Sequence, residues 1–157
     1  MKNSIKVGFS FGLTSGVITT LGLMMGLYSG THLKIAVILG ILSIAIADAF
    51  SDALGIHISE ESEQKHQARE IWESTLATFF SKFIFALTFI IPVLVFRLKL
   101  AMIIAMIWGF FLLAAISFKI AGPKNSNWWK VVAEHTLIAA IVIIVIYFIG
   151  NFIRKFQ

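Results

Sequence analysis

The chain has 157 residues, 59% of them hydrophobic, with a mean hydropathy of +0.92 and a net charge of +5. That composition excludes an ordinary soluble domain, which runs about 45–50% apolar. The lack of cysteine excludes disulfides and thiolate metal sites, and the basic residues are scattered rather than gathered on one helix face, so no nucleic-acid surface is expected.

At about 20 residues per membrane crossing, the length accommodates about five helices. The fold expected is an all-α integral membrane domain spanning 1–157, with membrane lipid as its surroundings. The first apolar stretch is too long for a cleavable signal. Span one covers about 7–28. Its glycines at 8, 12 and 16, and again at 22 and 26, recur every four residues, a spacing that lets helix backbones approach closely. This face is the expected contact for a second copy of the chain. The hydroxyls of Ser15, Thr19 and Thr20 give the same helix a second reading, as the lining of a pathway.

Span two covers about 33–58 and ends in the run IAVILGILSIAIADAFSDALGIHI. Asp48 and Asp52 lie one helical repeat apart in it and share a face. A carboxylate in hydrocarbon is costly, by contested amounts from ~3 to above 10 kcal/mol, and persists where it meets a partner, a cavity or an ion.

A polar segment, about 59–74, follows and is expected to be helical and cytosolic. Glu63, His66, Glu70 and Glu73 are spaced three, four and three. On one helix they form a stripe of three carboxylates and an imidazole. Glu63-x-x-His66 has the spacing of the carboxylate–histidine pair in di-iron bundles, and oxygen with imidazole suits divalent iron, manganese, cobalt or zinc. The competing reading is a solvated face, with Lys65 and Arg69 supplying ordinary helix pairs.

Span three covers about 75–96, with Pro92 near its end, and span four about 100–121. The stretch GPKNSN reads as a turn. Trp128 and Trp129 then suit an interfacial belt, and span five covers about 131–153. With the N-terminus inside, the basic residues divide eight against five, with Lys34, Arg97, Lys99, Arg154 and Lys155 outside. The positive-inside rule therefore favours a cytoplasmic N-terminus. All eight acidic residues fall on or near the inner side, which points to a mouth that attracts cations. Lys82 lies at the depth of Asp48, roughly 12 Å from the inner end at 1.5 Å per residue. The two are expected to pair, either to fix helix packing or as a tethered cation that competes with a metal ion or proton.

Several runs resemble the vacuolar iron transporter family. FGLTSGVITTLGLMMGL is similar to its glycine- and threonine-rich first helix. ADAFSDALGIHISEESE is similar to its second helix, and ATFFSKFIFALTFIIPVLVF to its third, with the late proline. GFFLLAAISFKIAG and NWWKVVAEHTLIAAIVIIVIYFIG are similar to the fourth and fifth. The resemblance implies a five-helix protomer that forms a homodimer. Its ion path would lie between the first two helices at the dimer interface, with proton-coupled export of iron(II) or manganese(II) from the cytosol.

The chain departs from that pattern in four places. Ser15 stands where the family has an aspartate, Asp52 replaces a methionine, Ile56 a glutamate and His57 an aromatic residue. The segment between spans two and three is too short for the family's cytosolic metal-binding domain. The function expected is a divalent-cation transporter. Asp48 and Asp52 would coordinate the ion within the membrane, Ser15, Thr19 and Thr20 would line the path, and Glu63, His66, Glu70 and Glu73 would gather ions. The metal is then substrate, and no permanent cofactor is expected. The alternative is a non-transporting membrane protein on the same fold, its ion site neutralised by Lys82. No paired histidines or glycine-flanked serine support an enzyme.

Overall fold

The structure, a computed structural model, describes residues 3–122 and 127–156. Within them helix is the only regular secondary structure. Five helices are long and apolar enough to cross a membrane: α1 (Asn3–Thr31), α2 (Lys34–Ser62), α3 (Ala68–Val95), α4 (Leu98–Ala121) and α5 (Trp128–Phe156). Lys124 and most of the GPKNSN stretch lie outside the described residues. α5 begins at Trp128, ahead of the expected start at 131.

α1 is the hub, and its glycines decide how the other helices reach it. On one side Gly8, Gly12 and Gly16 meet α3. A Cβ at Gly8 would overlap the Ser74 carbonyl, and one at Gly12 would overlap the Thr78 carbonyl and the Ser81 hydroxyl. The Thr78 hydroxyl donates to the Gly8 carbonyl at 3.2 Å, so the two backbones touch through a side chain as well. On the other side Gly22, Gly26 and Gly30 meet Val142, Ile146 and Gly150 of α5. The first four-residue glycine repeat is therefore used up inside the chain, and Gly22 and Gly26 of the second touch α5. This corrects the expectation that the Gly16 face of α1 is the contact for a second copy: α3 already covers it. Leu13, Val17, Leu21 and Met24 fill the rest of the core, with Met102, Ala105 and Leu113 from α4.

Two helices are interrupted. α3 breaks at Phe89. Pro92 has no N–H to offer the Thr88 carbonyl, and its ring crowds that carbonyl. The Thr88 hydroxyl bonds to the Phe85 carbonyl at 2.6 Å and accepts the Trp108 indole N–H at 2.9 Å. α2 carries a π-helical turn at Ile44–Asp48. Its buried stripe explains the turn: Val37, Ile41, Ala45, Ala49 and Ala53 are all buried, each four residues from the last. An α-helix turns ~100° per residue, so a strict four-residue stripe drifts by ~40° at every step. One wider turn takes up part of that drift and keeps both halves of α2 facing the bundle.

The polar segment is not one helix. α2 runs on to Ser62, the chain turns through Glu63–Gln67 with Gln64 at φ 53°, and α3 starts at Ala68. The segment is thus the tip of a helical hairpin. At the opposite end Lys34 donates to the Leu94 and Phe96 carbonyls at 3.1 and 3.3 Å, closing the end of α3. Arg154 contacts the His32 ring there.

Candidate intramembrane ion-pair site

Lys82 sits midway along α3, and its side chain is fully buried. It can lie there because Gly16 leaves room: a Cβ on Gly16 would come within 3.0 Å of the Lys82 Cγ. A buried ammonium needs acceptors at close range. The Nζ finds Asp52 Oδ2 at 2.5 Å, Asp48 Oδ2 at 2.6 Å and the Ser15 hydroxyl at 3.0 Å. The Ser15 hydroxyl in turn donates to Asp52 Oδ2 at 2.6 Å. Three helices thus converge on one cation: α1 through Ser15, α2 through the aspartates and α3 through the lysine.

The two carboxylates are held unequally. Asp52 is bound from both α1 and α3, and its side chain is 20% exposed. Among the described residues Asp48 meets Lys82 alone, and its side chain is 32% exposed. Its Oδ2 lies close enough for an ion pair but makes no directional hydrogen bond. With both aspartates ionised the group of three carries a net charge of −1. The carboxylates form its open side and the lysine its closed side.

The expected pairing of Asp48 with Lys82 is present, and Asp52 joins it. Of the expected pathway hydroxyls, Ser15 reaches the site and the other two do not. Thr19 donates to its own helix, at the Ser15 carbonyl 2.9 Å away. Thr20 is fully buried, and its hydroxyl has no partner among the described residues. A groove of about 600 Å³ between α1 and α5 is lined by Thr19, Thr31 and otherwise glycine, leucine, isoleucine and valine residues, away from the carboxylates. This groove is therefore not where the charges are.

The hairpin tip corrects the expected four-ligand stripe. Glu63 and His66 lie in the turn, and Glu70 and Glu73 in the first turns of α3. His66 is 4.0 Å from Glu63 and 3.7 Å from Glu70. Glu70 also accepts the Gln67 backbone N–H at 3.2 Å, as a helix cap. Glu73 is turned to Arg69 and to the Ser4 hydroxyl of α1, at 3.0 and 3.1 Å. Among the described residues no group of three or more histidine or acidic side chains converges to hold a metal.

Sequence reasoning missed two contacts between α2 and α3. The buried Ser74 donates to Glu60 at 2.7 Å. His57 Nδ1 lies 3.0 Å from the Thr75 hydroxyl. That hydroxyl also lies 2.7 Å from the Ile71 carbonyl. Both pairs span two helices at positions that only the hairpin register reveals. The π turn had a signal in the sequence, the strict four-residue stripe of α2.

No family model matches this chain, no curated protein matches it, and no solved structure matches it.

Proposed function

We propose that this chain is a multi-pass membrane transporter for a cation, with Asp48 and Asp52 as the intramembrane binding carboxylates and Lys82 as the tethered cation that fills their site in the absence of substrate. The observation that supports it is the Lys82 ammonium within 2.6 Å of both carboxylates, at the middle of five membrane-length helices. Ionisable groups at such a depth are expensive and are functional candidates by default. Hard oxygen ligands favour manganese(II), iron(II), magnesium or calcium over soft ions. The resemblance of the sequence favours iron(II) or manganese(II), with export from the cytosol coupled to protons and the N-terminus on the cytoplasmic side.

A homodimer is part of this proposal, with its contact moved from α1 to α2. Ser43, Ala47, Ser51 and Gly55 are exposed and recur every four residues beside the aspartates, and Gly55 has open space in front of it. Small residues in that spacing suit helix docking in lipid. A second copy there would cover the open side of the carboxylates. Cross-linking through Ser51→Cys is expected to trap a dimer, and the exposed α4 variant Ile107→Cys is expected to trap none. Equal yields from the two would remove the α2 face as the contact.

Flux into proteoliposomes tests the transport reading. Uptake of iron(II) or manganese(II) with opposite proton movement is expected for the unaltered chain and is expected to fall at least tenfold in Asp52→Asn. A second reading, a non-transporting membrane protein, is favoured by the full burial of Lys82. Under it the three charges only lock three helices together, and no cation moves under any gradient in folded, sealed samples.

A further inference from the structure

The π turn of α2 has no local cause. The residues Ile44-Ala45-Ile46-Ala47-Asp48 contain neither proline nor glycine, and alanine and isoleucine are compatible with an ordinary helix. The bond that closes the turn runs from the Ala49 N–H to the Ile44 carbonyl, five residues back. Tertiary contacts must therefore hold it: the burial of Ala45 and Ala49 against the bundle and, at its last residue, the ion pair of Asp48 with Lys82. Such single wide turns are frequent at functional sites.

The two halves of α2 are anchored separately. Beyond the turn, the half that leads to the hairpin is tied by Asp52 to Ser15 and Lys82, by His57 to Thr75 and by Glu60 to Ser74. The preceding half, Lys34–Ser43, is tied at its far end by the exposed Lys34 ammonium on carbonyls of α3. Exposed contacts of that kind are weak. The preceding half is also seated in the core by Val37 and Ile41, and at the turn itself the Asp48–Lys82 ion pair is the polar link between the halves.

We propose that the Ile44–Asp48 turn is a two-state element: it is π-helical while Asp48 is bound to Lys82 and relaxes to α-helix when that pair opens, rotating the Lys34–Ser43 half of α2 against the rest of the bundle. Removing one residue's excess from the turn rotates that half by ~100°, which moves a side chain on a helix of ~5 Å radius by about 8 Å. The Asp52 half stays in place, because Ser15 still holds it. Coupling of this kind is reciprocal, so whatever takes Asp48 away from Lys82 shifts the turn. A substrate cation as that trigger rests on the transport reading, whereas the two states of the turn do not.

The chain has no cysteine, so spin labels can be placed without background. Labels on Leu39→Cys and Phe111→Cys report the first half of α2 against α4. Labels on Leu54→Cys and Phe111→Cys report the second half; all three positions are exposed. Distances are measured by pulsed electron resonance in metal-free buffer. In Asp48→Asn the Leu39–Phe111 distance is expected to gain a population displaced by several ångströms, about 8 Å at most, with Leu54–Phe111 unchanged. Deletion of Ala47, which removes the extra residue together with the wide turn, leaves the two halves in their present relative rotation and is expected to keep the Leu39–Phe111 distance undisplaced, also when combined with Asp48→Asn. An unchanged Leu39–Phe111 distance in Asp48→Asn, with the Leu54 control showing a folded chain, overturns the proposal. If the deletion does not fold, Asp48→Asn decides. Displacement in Asp48→Asn with none on adding magnesium to the unaltered chain supports the two-state turn and counts against the cation as its trigger.

Discussion

Two clusters of charge differ mainly in where they sit. At the middle of the bundle Lys82, Asp48, Asp52 and Ser15 bring three helices together around a fully buried ammonium. At the hairpin tip Glu63, His66, Glu70, Glu73 and Arg69 use the same chemistry on one turn and the start of one helix. There the distances reach 4.0 Å and the Arg69 side chain is 78% exposed. Water screens the second cluster and can replace any member of it. In the first cluster the Lys82 ammonium is fully buried while the carboxylates are partly open, so removing a partner of the lysine leaves a buried charge uncompensated. The sequence draws the eye to the tip, where the charges are dense. The structure gives the weight to the sparse cluster in the middle.

That contrast can be broken by substitution. Lys82→Met leaves two carboxylates facing each other without a cation. It is expected to cost about 3–5 kcal/mol, read as a lower midpoint in denaturant unfolding in detergent. Asp52→Asn in the same chain is expected to recover part of the loss. A loss of under ~1 kcal/mol would place the buried cluster with surface pairs.

Ser15→Ala removes one hydroxyl that both donates to Asp52 and accepts from Lys82. The expected loss is about 1–3 kcal/mol, the cost of leaving charged groups short of a hydrogen bond. Ser15→Thr keeps the hydroxyl and is expected to lose less. If alanine and threonine behave alike in unfolding, the hydroxyl is not the group that counts. At the tip, Arg69→Ala breaks the ion pair to Glu73 and is expected to cost less than about 0.5 kcal/mol. Adding salt is expected to narrow that difference further. A loss as large as that of Ser15→Ala would mean that Glu73, through Ser4, locks α1 to α3 more firmly than an exposed pair does.

Five apolar helices were legible in the sequence, because a run of about 20 apolar residues carries that signal by itself. So was the match in depth between Asp48 and Lys82, since depth follows from counting residues along antiparallel spans. Counting residues does not say which face of a helix meets which neighbour. The glycines of α1 were recognisable as close-packing positions, yet only the packed bundle assigns Gly8, Gly12 and Gly16 to α3 and Gly22, Gly26 and Gly30 to α5. The stripe of Glu63, His66, Glu70 and Glu73 assumed a continuous helix, and a turn with Gln64 at positive φ ended it. The joint grip on Lys82 by Asp48 and Asp52 depends on how α2 packs against α1 and α3, as does the π turn that ends at Asp48, which no residue in Ile44–Asp48 specifies locally. Periodicity and hydropathy are properties of one segment and survive without neighbours. The rotation of a helix, the partner of a glycine and the sharing of one ammonium by two carboxylates are set by contacts between segments, and these exist only once the bundle has formed.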